Sequence, residues 1–204
     1  MAKLYFYYAA MNAGKSTTLL QADFNYRERG MHTMLWTAAH DDRSGYGRIA
    51  SRLDIGANAH AYHPDTDLFE AIADERKTRD LHCILIDEAQ FLTREQVLQL
   101  CRLCDEVNIP VLCYGLRTDF LGQLFPGSAA LLALADALVE LKAVCECGRK
   151  ATMNLRVDSK GHAVTSGAQT EIGGNDRYIA LCRRHFFARL QESEARQLSL
   201  ALPR

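Results

Sequence analysis

Two stretches of the chain carry side chains whose types and spacing suit phosphate chemistry. The first, Ala9-Ala10-Met11-Asn12-Ala13-Gly14-Lys15-Ser16, matches the phosphate-binding loop pattern, except that Ala9 stands where that pattern opens with glycine. Gly14 lets backbone approach phosphate closely, and successive N–H groups at a helix N-terminus form an anion cradle. Lys15 then reaches the terminal phosphates, and the Ser16 hydroxyl suits Mg²⁺. The second stretch, Ile84-Leu85-Ile86-Asp87-Glu88, is an apolar run ending in two carboxylates. At the C-terminal end of a strand in an open α/β sheet, Asp87 is suited to orient hydrated Mg²⁺. Glu88 is suited to accept a proton from whatever attacks the phosphate. The pair of stretches implies use of a nucleoside triphosphate. Water as nucleophile would make the protein an ATPase or motor, and a substrate hydroxyl would make it a kinase. A short, near-neutral chain with no evident second ATPase region favours the kinase. Phe91, Leu116, Phe120 and Phe125 follow the strands and offer apolar walls for a substrate pocket, although each also suits an ordinary core.

A second constellation is metallic. Cys145 and Cys147 form a C-x-C pair, and Cys182 and His185 form a C-x-x-H pair, with 34 residues between the two pairs. Three thiolates and one imidazole suit a structural tetrahedral Zn²⁺ that closes a loop and leaves no open catalytic position. The C-x-C spacing is tighter than the commoner C-x-x-C. Cys101 and Cys104 also spell C-x-x-C, but they sit in a helical pattern beside Leu100 and Leu103, where thiols behave as small apolar groups. Cys83 and Cys113 fall in apolar strand-like runs and read the same way. The seven cysteines thus divide into four core thiols and three zinc ligands, an odd total that fits reduced thiols better than a disulfide scaffold.

The elements that must position these groups follow from periodicity. Short apolar runs alternate with amphipathic stretches over the first three quarters of the chain, the pattern of strand and crossover helix in a doubly wound α/β core of about 140 residues. Strands are expected at Leu4–Ala9, Thr33–Ala38, Cys83–Ile86, Pro110–Tyr114 and Ala137–Lys142. Helices are expected at Lys15–Arg29, Thr66–Arg79, Thr93–Asn108 and around Ala129–Leu134. Near Val144 the pattern changes to short alternating segments such as Ala151–Val157. These are broken by Asp158-Ser159-Lys160-Gly161 and Gly173-Gly174-Asn175-Asp176, both turn chemistry. That segment is too short and polar for a core of its own and needs a staple. A charged helix follows His185. The expected domains are a nucleotide-binding core over 1–143, a zinc-binding, substrate-covering domain over 144–190 and a tail over 191–204.

Composition bounds the partners. With 204 residues, 48% of them hydrophobic and 24% charged, the chain reads as one globular domain with a small appendage. Its net charge of -1 gives no global field for nucleic acid or an anionic membrane, so a polyanion must be held locally. No apolar run approaches the roughly 20 residues that span a bilayer. The run Leu4–Met11 is broken by Asn12 and does not read as a cleaved signal.

Taken together, these motifs resemble the thymidine kinase family shared by bacterial and animal cytosolic enzymes, over roughly Lys3 to His185. Its marks are Met11 to Thr18, Asp41-Asp42-Arg43, Asp87-Glu88-Ala89-Gln90-Phe91, Tyr114-Gly115-Leu116-Arg117-Thr118-Asp119-Phe120, and Ile172-Gly173-Gly174-Asn175-Asp176-Arg177-Tyr178. The resemblance implies a P-loop (RecA-like) parallel sheet flanked by helices, with a small β-rich zinc-binding lasso domain. It implies transfer of the ATP γ-phosphoryl to the 5′-hydroxyl of thymidine in the cytoplasm, with Mg²⁺ and Zn²⁺ as metals and Glu88 as the base. Nucleotide contacts are implied at Ala9 to Ser16, Asp41, Arg43 and Asp87 to Gln90. Phe91, Leu116, Phe120 and Phe125 are implied as apolar walls for the nucleoside. Ile172, Gly173, Gly174 and Tyr178 are implied as the covering segment that reads thymine. A homotetramer inhibited by thymidine triphosphate is implied as well, with no nucleic acid or membrane partner. The competing reading is a zinc-containing P-loop ATPase that binds nucleic acid through Arg149-Lys150 and Arg183-Arg184, but few aromatics interleave those charges and no basic stripe surrounds them.

Overall fold

The computed structural model describes residues 1–41, 45–170 and 177–201. The chain divides into two units. The first comprises Met1–Tyr8, Gly14–Arg117 and Phe125–Leu141, and the second comprises Ala9–Ala13, Thr118–Leu124 and the chain from Lys142 onward.

The first unit is built on a six-stranded sheet. Its strands are β1 (Leu4–Ala9), β2 (Thr33–Ala38), β5 (His60–Tyr62), β6 (Cys83–Ile86), β7 (Val111–Leu116) and β8 (Ala137–Glu140); a small antiparallel hairpin, β3 (Arg48–Ala50) and β4 (Gly56–Asn58), lies apart from it. The sheet order is β5-β2-β6-β7-β1-β8, with parallel pairing between β2 and β5, β2 and β6, β6 and β7, and β1 and β8. A parallel strand covered on both faces is apolar throughout. Cys83, Ile84, Leu85 and Ile86 accordingly have no exposed surface.

On one face, Leu4, Phe6, Trp36, Ile84 and Ile86 pack with Leu68 and Ile72 of α2 (Leu68–Arg76), Leu100 and Leu103 of α3 (Arg94–Val107) and Leu131 of α4 (Pro126–Leu134). On the other, Leu35, Leu85, Leu112 and Tyr114 pack with Leu19 and Leu20 of α1 (Lys15–Glu28). Each such buried aliphatic side chain contributes about 1.5–3 kcal/mol.

Helix ends follow local chemistry. Thr93 and Gln96 form a reciprocal capping box at the start of α3, and Asn108 ends it in a left-handed conformation. The expected helix Thr66–Arg79 is shorter, Leu68–Arg76, because the Asp67 side chain caps Glu70 N–H while the Gln96 amide takes the Thr66 carbonyl at 3.0 Å. β3, β4 and β5 fall in a stretch where no strand is expected from periodicity. Each is only three residues long, and β5 begins with an exposed histidine at the sheet edge.

The second unit contains two antiparallel pairs, β9 (Ala143–Val144) with β10 (Lys150–Ala151) and β11 (Met153–Arg156) with β12 (Tyr178–Leu181), followed by α5 (Arg183–Ala201). It does have a core. Cys145, Ala151, Met153, Leu155, Val157, Ala163, Leu181 and Cys182 are buried with Ala10 and with Phe186 of α5. The expectation of a segment without its own core is corrected by those two residues, which come from outside the alternating stretch.

Candidate active site and metal centre

In the first unit, β1 and β6 are two positions apart with β7 between them, so the helix that follows β1 and the carboxylates that follow β6 open on the same edge of the sheet. Gly14 is the N-cap of α1 with φ 79°, and no side chain caps the helix there, so its first turn presents backbone N–H groups. Lys15 is buried to 9% exposure and Asp87 to 4%. The Ser16 hydroxyl donates to the Asp87 carboxylate, and Lys15 lies close enough to stabilise its charge. Burial and the neighbouring Glu88 nevertheless hold Asp87 well above the usual carboxylate range. A lysine, a hydroxyl and a buried carboxylate gathered at a helix N-terminus suit a polyphosphate and its cation.

Glu88 takes a left-handed backbone, φ 52° and ψ 35°, at the head of a 3₁₀ turn over Ala89–Phe91. Contacts to both its backbone and its carboxylate hold it. The Tyr62 hydroxyl donates to the Glu88 carbonyl at 2.8 Å, the Glu88 N–H donates to Asp87 Oδ1 at 3.0 Å, and the Gln90 amide donates to Glu88 Oε2 at 2.5 Å. Gln90 itself accepts the Leu116 N–H at 2.9 Å. Gly115 has to be glycine for this arrangement, since a Cβ there would lie 2.8 Å from Gln90 Oε1 and 2.9 Å from Gln90 N. The result is a carboxylate in fixed orientation beside the Asp87 site, suited to take a proton.

Of the apolar candidates in this unit, Phe91 and Phe125 meet edge to face at 5.7 Å, and His40 meets Phe91 at 4.2 Å. Leu116 ends β7 with its carbonyl accepting the Ser128 hydroxyl at 2.5 Å. Asp41 follows β2, its N–H bonded to the Ala38 carbonyl at 3.0 Å. Arg43, Ile172, Gly173 and Gly174 lie outside the described residues.

In the second unit, Ala9 and Ala10 are buried, and Asn12 has φ 65°. Ala9 is the last residue of β1 and is not among the positive-φ positions, so alanine meets no backbone strain there. The Met11 N–H donates to Asn154 Oδ1 at 2.7 Å, and Asn154 donates to the Thr118 carbonyl at 3.1 Å. Phe120 is buried beneath the Arg156 guanidinium, 3.7 Å from ring centroid to guanidinium carbon. Tyr178 lies half-buried on β12 opposite Arg156. Tyr62, Asn154 and Arg156 carry no motif, and sequence reading passes over them.

The four metal candidates converge in this unit. Ligand atoms of Cys145, Cys147, Cys182 and His185 all lie within 4.8 Å of one another. Cys145 Sγ is 3.4 Å from His185 Nδ1, and Cys147 Sγ is 3.9 Å from Cys182 Sγ. A tetrahedron with ligands at the usual zinc–sulfur length has edges of about 3.8 Å. The knuckle between β9 and β10 turns on Gly148, φ 79°, with the Gly148 N–H bonded to the Cys145 carbonyl at 2.8 Å. Burial opposes ionisation of Cys145, yet backbone N–H groups of Cys147 and Cys182 and the His185 ring outweigh it and lower its pKa. Donor set and spacing therefore fit a structural Zn²⁺. The remaining thiols behave as apolar groups: Cys83, Cys104 and Cys113 are buried and Cys101 is partly so, all of them free.

Comparison with known proteins accords with this geometry. A family model described as thymidine kinase matches residues 2–186. The chain is 70% identical over 186 residues to a thymidine kinase of Novosphingobium aromaticivorans, covering 91% of this chain and 97% of that one. It is 63% identical over 190 residues to a thymidine kinase of Zymomonas mobilis, covering 93% and 98%. Against a thymidine kinase of Vibrio cholerae the identity is 58% over 186 residues, covering 91% and 97%.

Two measurements probe these centres. Cys182→Ser is expected to lose the metal, with zinc per chain by elemental analysis falling from one toward zero and thermal unfolding moving to lower temperature; a native chain that purifies without zinc contradicts the site. The second concerns Asp87. Its folded pKa is raised, so the stability it contributes is full below its unfolded value of about 4 and is lost as pH rises toward neutrality. Asp87→Asn, permanently neutral, should therefore gain stability over the ligand-free native chain progressively from pH 4 to pH 7, as read by thermal unfolding at each pH. A pH-independent difference contradicts the burial argument.

Proposed function

The chain belongs to the thymidine kinase family, and on that premise we propose that it transfers the γ-phosphoryl group of ATP to the 5′-hydroxyl of thymidine, giving thymidine monophosphate and ADP. The observation that carries the reading is the gathering of Lys15, Ser16 and Asp87 beside a Glu88 carboxylate fixed by Gln90.

In this reading the loop from Ala9 to Gly14 and the first N–H groups of α1 receive the phosphates, and Lys15 neutralises charge on the terminal ones. Ser16 and Asp87 would hold Mg²⁺, which supplies charge neutralisation across the β- and γ-phosphates. Asp41, Arg43, Ala89 and Gln90 complete the nucleotide side. Glu88 accepts the proton of the 5′-hydroxyl as that oxygen bonds to the γ-phosphorus and the bond to the ADP oxygen breaks. Phe91, Leu116, Phe120 and Phe125 offer apolar surface to the nucleoside, while Ile172, Gly173, Gly174 and Tyr178 cover the base. Cys145, Cys147, Cys182 and His185 would hold Zn²⁺, which would join both ends of the stretch that contains the covering residues. Functionally, 1–143 is then the nucleotide-binding core, 144–190 the covering domain and 191–204 the tail.

On the same reading the enzyme works in the cytoplasm as a homotetramer inhibited by thymidine triphosphate. Among the described residues, no helix is long and apolar enough to cross a membrane.

A nucleoside panel tests the proposal. ADP release from ATP is expected to depend on an added pyrimidine deoxynucleoside, with thymidine the preferred acceptor. Hydrolysis stimulated by DNA and indifferent to thymidine would replace it with the nucleic-acid-dependent ATPase.

A further inference from the structure

Within the second unit, one buried cation organises two segments that are far apart in sequence. Arg156 projects from β11 with 4% exposure. Its guanidinium lies over the Phe120 ring at 3.7 Å, while Nη1 donates to the Ala168 carbonyl at 3.1 Å and Nη2 to the Ser166 carbonyl at 3.4 Å. Gly167, between those two carbonyls, has φ 132°, and a Cβ there would lie 2.6 Å from Arg156 Nη2. The backbone of 166–168 is thus wrapped on the guanidinium as closely as only glycine permits.

A neighbouring contact ties the same two segments together. Gln169 Nε2 donates to Asp119 Oδ2 at 3.0 Å, and the other oxygen of that carboxylate accepts the N–H groups of Leu121 and Gln123, each at 2.9 Å. Residues 166–169 are therefore clasped to the loop 119–124. Arg156 forms one side of the clasp and Asp119 the other.

We propose that Arg156 is a positioning residue for nucleoside binding. It fixes the Phe120 ring on one side and the backbone of 166–168 on the other. This rests on the reading above, in which Phe120 offers apolar surface to thymidine. A planar fork is what the role demands: it lies over an aromatic ring while donating from two nitrogens to two carbonyls. The point charge of lysine cannot do both.

The test is steady-state kinetics on Arg156→Lys, with Gly167→Ala as a second variant that keeps the guanidinium but pushes the backbone off it. Each is expected to raise the thymidine KM about tenfold, the scale of a lost stacked, desolvated cation. The ATP KM should stay within about twofold and zinc per chain should remain at the native value. If Arg156→Lys loses zinc or does not fold, the Gly167→Ala split decides. Thymidine and ATP constants that move together, or a thymidine KM that does not move, overturn the positioning role while leaving the kinase intact. A native protein that phosphorylates no nucleoside overturns both.

Discussion

The active edge of the sheet depends on the Gln90 amide. Its NH₂ holds the Glu88 carboxylate and its oxygen holds the Leu116 N–H, so one buried side chain joins the ends of β6 and β7. Glu88 sits in a left-handed conformation that costs a non-glycine residue of order 1 kcal/mol and persists only where its surroundings over-determine it. Tyr62, from the edge strand β5, supplies a further restraint on the Glu88 carbonyl. Backbone strain at Glu88, held in place by Tyr62, Asp87 and Gln90, fixes the direction in which its carboxylate points. Asp87 beside it faces the opposite problem. Its charge is disfavoured by burial until a cation and phosphates arrive, and in their absence Ser16, the Glu88 N–H and Lys15 compensate only in part.

The second unit solves its size problem by two means. Its apolar cluster is small and borrows Ala10 and Phe186 from neighbouring stretches. The Cys145–Cys147–Cys182–His185 centre joins the β9–β10 knuckle to the start of α5, closing a loop of the kind that a small core cannot hold alone. Asn154 adds a link of a different character, tying the Met11 N–H to the Thr118 carbonyl. The substitution of alanine for the opening loop glycine costs nothing at Ala9 because that residue ends a strand; positive φ is needed at Asn12 and Gly14 instead.

What could be read from sequence follows from how local each determinant is. Leu4–Ala9, Thr33–Ala38 and Cys83–Ile86 are strands as expected, because parallel strands buried on both faces leave uninterrupted apolar runs. The convergence of Cys145, Cys147, Cys182 and His185 is equally legible, since their chemistry is unusual and their spacing tight. The short strands β3 to β5 escape because three residues carry no period. The start of α2 escapes because a distant glutamine, Gln96, claims the Thr66 carbonyl. Tyr62, Asn154 and Arg156 escape for a related reason: each acts through contacts with residues at least 10 positions away in the chain, and nothing in their own neighbourhood announces the role.

The central claim is that Glu88, held by Gln90, removes the proton of the attacking hydroxyl. Glu88→Gln keeps the shape and removes the proton acceptor, so binding and turnover separate. Calorimetric binding of ATP and of thymidine should stay within a few-fold of native, while kcat falls by roughly 10²–10⁴. Turnover within a few-fold of the native enzyme would take the base role away from Glu88 and leave the arrangement at the end of β6 without its proposed purpose.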